Sequence, residues 1–267
     1  MEGMGNAMTL GASTACLYPM PTELALEELL RLGFRTLEVF VNTASETTPE
    51  FARGLRRRAD QEDARIVAVH PYTSGMEPYL LFSGYARRTE DAMDQYRGFF
   101  SAASAMGARY LVLHGDRADS ALPLEESAGR LDRLFEIGRE EGVMPLLENV
   151  VKYRSADPQY LRDLRRLLGD RIGFVFDFKQ CARCGLQIEE VLDAMGQGLA
   201  HLHVSDQDTT HDCLIPGRGK NDFAAVARRL HSMGFDGSWI LELYRSNFEF
   251  PSDLAEGVRK LGKMEIL

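Results

Sequence analysis

The sequence contains no run of about 20 consecutive apolar residues, the length that a membrane-spanning helix requires. Residues 1–10 also lack the basic and then apolar pattern of a secretory signal peptide. Cysteine is scarce, and the four cysteines in 267 residues are too few to form a disulfide framework. These absences predict a cytoplasmic protein that has no membrane partner.

The sequence also has no excess of basic over acidic residues. The sequence has 31 Lys and Arg residues against 40 Asp and Glu residues, which gives a net charge of -9. A large basic surface for duplex nucleic acid is therefore not expected, and no nucleic-acid partner is predicted. The hydrophobic fraction of 45% lies in the ordinary range of folded globular proteins, so the sequence is not that of a disordered chain.

Short apolar runs alternate with longer amphipathic stretches along the whole sequence, which is the pattern of repeated strand and helix units. Eight strands are predicted, at residues 9–15, 36–41, 66–70, 110–114, 144–148, 172–177, 199–204 and 238–243. Helices are predicted between them, at residues 23–32, 49–62, 86–106, 124–141, 158–168, 188–195, 223–233 and 252–261. Eight such units in roughly 250 residues are typical of a (β/α)8 barrel. The prediction is an α/β fold, a TIM barrel that forms a single domain over residues 1–267.

The residues at the helix ends support this division. Glycines that favour a left-handed C-terminal cap follow five predicted helices, at Gly33, Gly107, Gly142, Gly169 and Gly234. The predicted N-caps are Thr22, Asp157, Asp222 and Ser252. A long irregular segment, residues 71–85, follows the third strand, so it is expected to cover the C-terminal mouth of the barrel.

Barrel enzymes carry their chemistry at the C-terminal ends of the strands, and here those ends are polar. The residues in question are Glu38, His70, His114, Glu148, Asp177, His203 with Asp206 close behind it, and Glu242. Any one of them could cap a loop or pair with an arginine. Together they predict a site at the mouth of the barrel.

Four of these residues are expected to converge on one cation. Several carboxylates buried together without a cation would force at least one of them to take up a proton. Glu148, Asp177, His203 and Glu242 are therefore predicted to surround one divalent metal ion. Three oxygen ligands and one nitrogen ligand suit Mn²⁺, Co²⁺, Mg²⁺ or Zn²⁺ better than a soft metal.

The same segments resemble a known family over essentially the whole chain. They are GFRTLE at 33–38, LEN at 147–149, FD at 176–177, HLHVSD at 201–206, IPGRG at 215–219 and LEL at 241–243. They are similar to the xylose isomerase-like barrels, which include sugar phosphate isomerases and epimerases. The resemblance also implies a homo-oligomer, because barrels of this family often pair.

What the resemblance implies is a sugar or sugar phosphate isomerase or epimerase that works through an enediolate. Glu148 and Glu242 would be the catalytic acid and base as well as ligands of the single metal ion. His70 and His114 would bind hydroxyl groups of the substrate or orient the ligands. The expected partner is a small carbohydrate.

Five further residues complete the predicted substrate site, namely Glu38, Lys179, Gln180, Asp206 and Arg218. Gln180 stands where many epimerases of the family have a histidine that contacts the substrate. Lys179 either binds an anionic group of the substrate or, as is expected first, pairs with a nearby acid. Arg218 lies in a glycine loop that forms either an anion-binding cradle or a plain turn.

Three alternative functions remain open on the sequence alone. A lyase resembling dehydroshikimate dehydratase would use the same metal and the same first proton abstraction. A zinc phosphodiesterase resembling endonuclease IV would use His70 and His114, but Gln180 and the segment 211–213 replace ligands that such enzymes need. A barrel that binds a sugar or a protein without turnover is the third alternative, and the complete set of four ligands argues against it.

Overall fold

Eight parallel strands pair in chain order, and the first pairs with the last to close a barrel. The computed structural model describes residues 9–263. The strands are β1 (Thr9–Ser13), β2 (Thr36–Val41), β3 (Arg65–Pro71), β4 (Tyr110–Leu113), β5 (Met144–Glu148), β6 (Gly173–Asp177), β7 (Leu199–Val204) and β8 (Ser238–Leu241). The predicted (β/α)8 barrel is confirmed. Residues 1–8 and 264–267 of the predicted domain lie outside the described part of the chain.

Helices surround the barrel and connect successive strands. They are α1 (Thr22–Arg31), α2 (Pro49–Gln61), α3 (Ala86–Met106), α4 (Leu124–Glu141), α5 (Pro158–Leu168), α6 (Phe178–Cys184), α7 (Ile188–Met195), α8 (Phe223–Ser232) and α9 (Ser252–Gly262). Four of the predicted helices have the predicted bounds, and the others differ by one or two residues. The short helix α6 was not predicted. Between residues 9 and 263, no helix combines the length and the apolar character needed to cross a membrane.

The helix ends follow the sequence signals in most places. All five predicted cap glycines have positive φ, and Asp157 and Asp222 cap α5 and α8 through their side chains. Two predicted N-caps are wrong, because Pro21 and Pro251 precede α1 and α9 while Thr22 and Ser252 are already helical. The Thr22 hydroxyl instead donates to Oε2 of Glu46 at 2.9 Å, a tertiary contact that competes with capping.

The side chains inside the barrel change from apolar to polar along its axis. A small apolar cluster of Ala68, Val112, Leu146 and Val175 fills one part of the interior. Nearer the C-terminal strand ends, Glu38 on β2 contacts His201 and His203 on β7 across the barrel, and all three side chains are buried. The larger apolar core lies between the strands and the surrounding helices. This division leaves the C-terminal mouth of the barrel for polar chemistry.

The closure of the barrel requires a glycine at position 11. A Cβ atom on Gly11 would lie 2.2 Å from the carbonyl oxygen of Thr36 in β2, a distance that real atoms do not tolerate. The two strands can approach this closely only because residue 11 has no side chain. Gly98 in α3 differs, because a Cβ atom there would meet no other atom within 4 Å.

We therefore expect opposite effects from two chemically identical substitutions. Gly11→Ala should lower the free energy of unfolding by about 1–3 kcal/mol, because β1 and β2 must move apart. Gly98→Ala should raise it by about 0.5–1 kcal/mol, because alanine favours the helix. Urea denaturation followed by circular dichroism measures both values. Equal stability of Gly11→Ala and the unchanged protein would contradict the close approach of the strands.

Candidate active site

Four side chains from neighbouring strands converge at the C-terminal mouth of the barrel. We call Glu148, Asp177, His203 and Glu242 the four-residue cluster, since one ligand atom from each lies within 4.8 Å of the others. Nδ1 of His203 lies 3.4 Å from Oε1 of Glu148, 3.7 Å from Oδ2 of Asp177 and 3.5 Å from Oε2 of Glu242. The four predicted ligands are thus brought together around one imidazole nitrogen.

A carboxylate beneath the cluster fixes the orientation of His203. Oε2 of Glu38 accepts hydrogen bonds from Nε2 of His203 and from Nε2 of His201, each at 3.0 Å. Although burial raises the pKa of Glu38, the two histidines outweigh it and hold that pKa well below its usual range. Because Nε2 of His203 is engaged by Glu38, Nδ1 faces the three other acids. A carboxylate that orients a histidine in this way is a common support of metal sites.

Asp177 is also held on two sides. Its backbone N–H donates to Oδ1 of Asn149 at 2.7 Å, and its carbonyl accepts from Nδ2 of Asn149 at 3.1 Å. Its side chain is the N-cap of α6, since Oδ1 accepts the backbone N–H of Gln180 at 2.9 Å. Only Oδ2 is therefore left to face the cluster. Sequence reasoning missed the role of Asn149, although it directly follows Glu148.

The chemistry of the donor atoms fits a divalent metal ion. Within residues 9–263, Nδ1 of His203 is buried and has no hydrogen-bond partner. Leaving such atoms unpaired is costly unless an ion or another ligand satisfies them. Three carboxylate oxygens and one imidazole nitrogen are the donors that Mn²⁺, Co²⁺, Mg²⁺ and Zn²⁺ accept.

The charges of the cluster are strongly coupled to their surroundings. Burial raises the pKa of Glu148, but His203, His114 and His70 lower it by more. The pKa of this carboxyl group therefore lies well below its usual range, and the group is ionised. Asp177 differs, because burial outweighs the nearby Lys179 and raises the pKa of Asp177. The site therefore contains ionised acids that attract a cation.

Two more predicted residues meet the other oxygen of Glu148. Nε2 of His114 lies 3.4 Å from Oε2 of Glu148, Nε2 of His70 lies 3.7 Å from it, and the two ring nitrogens are 3.3 Å apart. These three residues form a second group that could hold a metal ion. Glu148 thus faces the four-residue cluster with Oε1 and the two histidines with Oε2.

Glu77 supports this second group, and it was missed by sequence reasoning. It lies in the loop after β3, where its Oε2 accepts the backbone N–H groups of His114 at 2.8 Å and Gly115 at 2.5 Å. Its Oε1 accepts the hydroxyl hydrogen of Tyr96 at 2.7 Å. Glu77 is the one charged residue in the segment 71–85, and this was the available signal. The loop is thereby fixed to the end of β4.

A cavity of about 660 Å³ opens directly above the two groups. Its walls include six predicted site residues, namely His70, His114, Glu148, Lys179, Gln180 and Glu242. Aromatic side chains form much of the remaining wall, namely Tyr18, Phe40, Tyr72 and Tyr244. The amide of Gln180 is partly engaged, since its Oε1 accepts the backbone N–H of Val151 at 3.2 Å.

Three predicted substrate residues lie elsewhere. Glu38 is buried beneath the cluster, as described above. Asp206 accepts the backbone N–H groups of Gly217 at 2.9 Å and Gly219 at 2.8 Å, so the glycine loop encloses this carboxylate instead of a free anion. Arg218 is partly exposed and lies 3.9 Å from Asp253. None of the three belongs to the wall of the cavity.

Comparison with known proteins agrees with this geometry. The sequence pattern of the xylose isomerase-like TIM barrels matches residues 26–264. The chain belongs to this family. The predicted resemblance is therefore confirmed, and the match includes every residue of the two groups described above.

Relatives in the family include sugar epimerases. Fructoselysine 3-epimerase of Escherichia coli O157:H7 is 25% identical over 252 residues, which cover 88% of this chain and 90% of the relative. An uncharacterized protein of Mycobacterium leprae is 27% identical over 269 residues, with 91% of each chain covered.

Solved structures in the family show the same fold. A D-tagatose 3-epimerase-like protein superposes with a TM-score of 0.78 at 20% identity, covering 96% of this chain and 97% of the other. D-psicose 3-epimerase of Clostridium cellulolyticum H10, solved with D-tagatose, gives a TM-score of 0.77 at 16% identity, with 95% and 96% covered. At these identities the likeness establishes the fold.

The buried Glu77 generates a pH-dependent prediction. Burial raises the pKa of Glu77 from 4.5 to about 8, although the Gly115 N–H and the Tyr96 hydroxyl lower it. A carboxyl group whose pKa is raised by folding contributes stability below its unfolded pKa and loses that contribution as the pH rises through its folded pKa. We expect the unchanged protein to lose stability relative to Glu77→Gln between pH 5 and pH 8, by about 1.4 kcal/mol for each pH unit.

Urea denaturation at several pH values measures this difference. Titrations shared by both proteins cancel in the comparison, and Glu62→Gln, at an exposed glutamate, is the matched control that should show no such trend. A difference between the unchanged protein and Glu77→Gln that stays constant from pH 5 to pH 8 would show that Glu77 is ionised in the folded state.

Proposed function

We propose that this protein is a divalent-metal-dependent sugar isomerase, and specifically an epimerase of a ketose. The observation that carries the proposal is the pair of carboxylates Glu148 and Glu242, which both face Nδ1 of His203 and both line the cavity. A pair of acids beside a bound carbonyl compound is what proton removal and return at one carbon require. The sugar 3-epimerases among the relatives support the same reaction class.

The metal is proposed to be held by Glu148, Asp177, His203 and Glu242. When bound, a divalent ion polarises the carbonyl group of a ketose and stabilises the negative charge that develops on its oxygen atoms. The protein supplies the fixed geometry, because Glu38 orients His203 and Asn149 positions Asp177. Positioned ligands of this kind need no rearrangement when charge develops.

The proton transfers fall to the two glutamates. The nearby histidines lower the pKa of Glu148 by more than burial raises it, so Glu148 is ionised. His203 and Lys179 likewise lower the pKa of Glu242 by more than burial raises it. Either carboxylate can therefore accept a proton from the carbon beside the carbonyl group, which leaves an enediolate. The other glutamate takes up a proton from solvent and delivers it to the opposite face of that carbon, so the product is an epimer. The first glutamate then releases its proton to solvent. His70 and His114 reach the cavity and are proposed to bind substrate hydroxyl groups.

The substrate is proposed to be a sugar larger than a bare triose or tetrose. A cavity of about 660 Å³ accommodates a hexose-sized molecule. Its aromatic wall suits the apolar C–H faces of a sugar ring or chain, while the histidines and acids suit the hydroxyl groups. An exposed Tyr18 and a half-exposed Tyr244 leave the cavity open at one side, so a substituent on the sugar could extend outward.

A second candidate function is favoured by one specific observation. His70, His114 and the second oxygen of Glu148 form another group of possible ligands beside the four-residue cluster. Two adjacent metal ions would suit hydrolysis of a phosphodiester, as in the zinc enzymes considered above. About one metal equivalent per chain supports the epimerase, whereas two or three zinc ions per chain would favour the hydrolase.

Exchange of substrate hydrogen with D₂O is the test of the proposed reaction. We expect NMR to detect exchange at the carbon beside the carbonyl group of at least one ketose in a panel of free and phosphorylated sugars. Glu148→Gln and Glu242→Gln should each slow the exchange by about 10²- to 10⁴-fold, since each removes one proton-transfer group. A chelator should abolish the exchange, and readdition of Mn²⁺, Co²⁺, Mg²⁺ or Zn²⁺ should restore it.

The control for this experiment is Glu62→Gln, the same chemical change at an exposed position away from the site. The product spectrum separates the candidates, because an epimer supports the proposal, an aldose indicates aldose–ketose isomerisation, and an unsaturated product indicates a lyase. Unchanged exchange in both glutamine variants would contradict the role of the glutamate pair.

The support of His203 by Glu38 gives a separate prediction. Glu38→Gln keeps the size of the side chain but removes the charge that holds Nε2 of His203. We expect its affinity for Mn²⁺ to fall by about 10- to 100-fold, the usual cost of losing such a support. Isothermal titration calorimetry measures this affinity, with Glu62→Gln again as the control. Unchanged affinity would show that Glu38 does not orient the ligand.

A further inference from the structure

The ammonium group of Lys179 lies inside the four-residue cluster. Lys179 is the second residue of α6, and its side chain is only 5% exposed. Its Nζ donates hydrogen bonds to Oδ2 of Asp177 and to Oε2 of Glu242. The ammonium group thus lies between two carboxylate groups of opposite charge. The cluster thus contains a cation that belongs to the protein.

This ammonium group uses the same oxygen atoms that a metal ion would need. Oδ2 of Asp177 and Oε2 of Glu242 are the oxygens that face Nδ1 of His203, at 3.7 Å and 3.5 Å. The other oxygen of Asp177, Oδ1, already accepts the backbone N–H of Gln180 as the cap of α6. A bound divalent ion would require these oxygens at about 2.0–2.2 Å. The ammonium group and the ion therefore compete for the same atoms.

The two cations repel each other in the cluster. Both would be bound to the same two oxygens, which would place a divalent and a monovalent charge within about 4 Å of each other in a largely buried site. Like charges at such a separation repel strongly where little water screens them. We therefore expect the bound ion to displace Nζ of Lys179.

The structure offers a place for the displaced group. Nζ lies 5.9 Å from the centre of the Tyr244 ring, and both residues are in the wall of the cavity above the cluster. Rotation about the side-chain bonds of Lys179 moves the ammonium group into that cavity without a change in the backbone of α6. The face of the half-exposed Tyr244 ring is a favourable neighbour for a cation.

We propose that Lys179 is a built-in competitor of the metal ion, which occupies the site between Asp177 and Glu242 and turns into the substrate cavity when the ion binds. The inference rests on the proposed function, since it requires that the cluster takes a divalent ion. It has two consequences. Lys179 weakens metal binding, and it balances the charge of the buried acids when the ion is absent.

Metal affinity tests the first consequence. Lys179→Met keeps a long unbranched side chain but has no charge, and Lys220→Met removes the same charge from an exposed loop position. Calorimetric titration of the chelator-treated proteins should show Mn²⁺ binding that is tighter by about tenfold or more in Lys179→Met, because no cation must be displaced. Lys220→Met should bind like the unchanged protein.

Thermal unfolding tests the second consequence and excludes a merely structural role. In the presence of a chelator, Lys179→Met should unfold at a lower temperature than the unchanged protein, because the buried acids lose their countercharge. Saturating Mn²⁺ should remove that difference. A packing defect would lower the unfolding temperature equally with and without Mn²⁺, and this result would overturn the inference.

The outcomes separate this inference from the proposed function. Equal Mn²⁺ affinity in Lys179→Met and in the unchanged protein would overturn the competition but leave a metal-dependent epimerase intact. Binding by Lys179→Met alone would support the competition and overturn metal dependence of the unchanged protein. Failure of both proteins to bind Mn²⁺, Co²⁺, Mg²⁺ or Zn²⁺ would overturn both.

A labelling experiment tests the displacement of Lys179 in the unchanged protein, so its result does not depend on whether a variant folds. Reductive methylation followed by peptide mass spectrometry reports how accessible each lysine amine is. Lys179 should react faster in the presence of Mn²⁺ than in the presence of a chelator, because displacement exposes its amine to the cavity. Lys220 is the internal control and should react at the same rate in both. Equal rates for Lys179 would contradict its displacement.

Discussion

The burial of three carboxylates at one point of the barrel is the constraint on which the rest of the site depends. Glu148, Asp177 and Glu242 converge on His203, and little of their surface reaches water. Such a concentration of negative charge is tolerated only with compensating cations. Lys179 provides such a charge within the chain, through its contacts with Asp177 and Glu242. The same acids could hold a divalent ion.

The supporting contacts explain how a site with so much charge keeps a fixed geometry. Glu38 holds His203 from below, Asn149 clamps the backbone of Asp177, and Glu77 ties the loop after β3 to the backbone of His114. Each support is a buried polar group whose hydrogen bonds are made with the residues it positions. The strands hold the backbone in place, and these contacts fix the orientation of the side chains that could bind a metal ion.

In the proposed function, the residues that carry out the reaction lie at strand ends, whereas the residues that select the substrate lie in the loops. The carboxylates and His203 stand at strand ends, whereas the aromatic wall comes from segments that follow the strands, such as Tyr72 and Tyr244. Loops of this kind can differ while the barrel stays the same. Solved structures of 13–20% identity, among them D-psicose 3-epimerase, have the same fold.

The sequence by itself determined the barrel and the members of the four-residue cluster, because local sequence patterns predict both. Strand and helix periods differ, and the end of each apolar run locates its polar residue, so Glu148, Asp177 and Glu242 could be assigned before any contact was known. Two N-caps predicted from the sequence, Thr22 and Ser252, are wrong. A proline precedes each helix, and Thr22 makes a tertiary contact instead.

Only the tertiary structure decided which atoms meet. Glu38 and His203 are 165 residues apart in the chain, so no spacing could reveal that one orients the other. The positions of Glu77 beneath His114 and of Lys179 between two acids depend on the closure of the barrel and on side-chain direction. Such contacts arise from the packing of distant segments, which sequence periodicity does not encode.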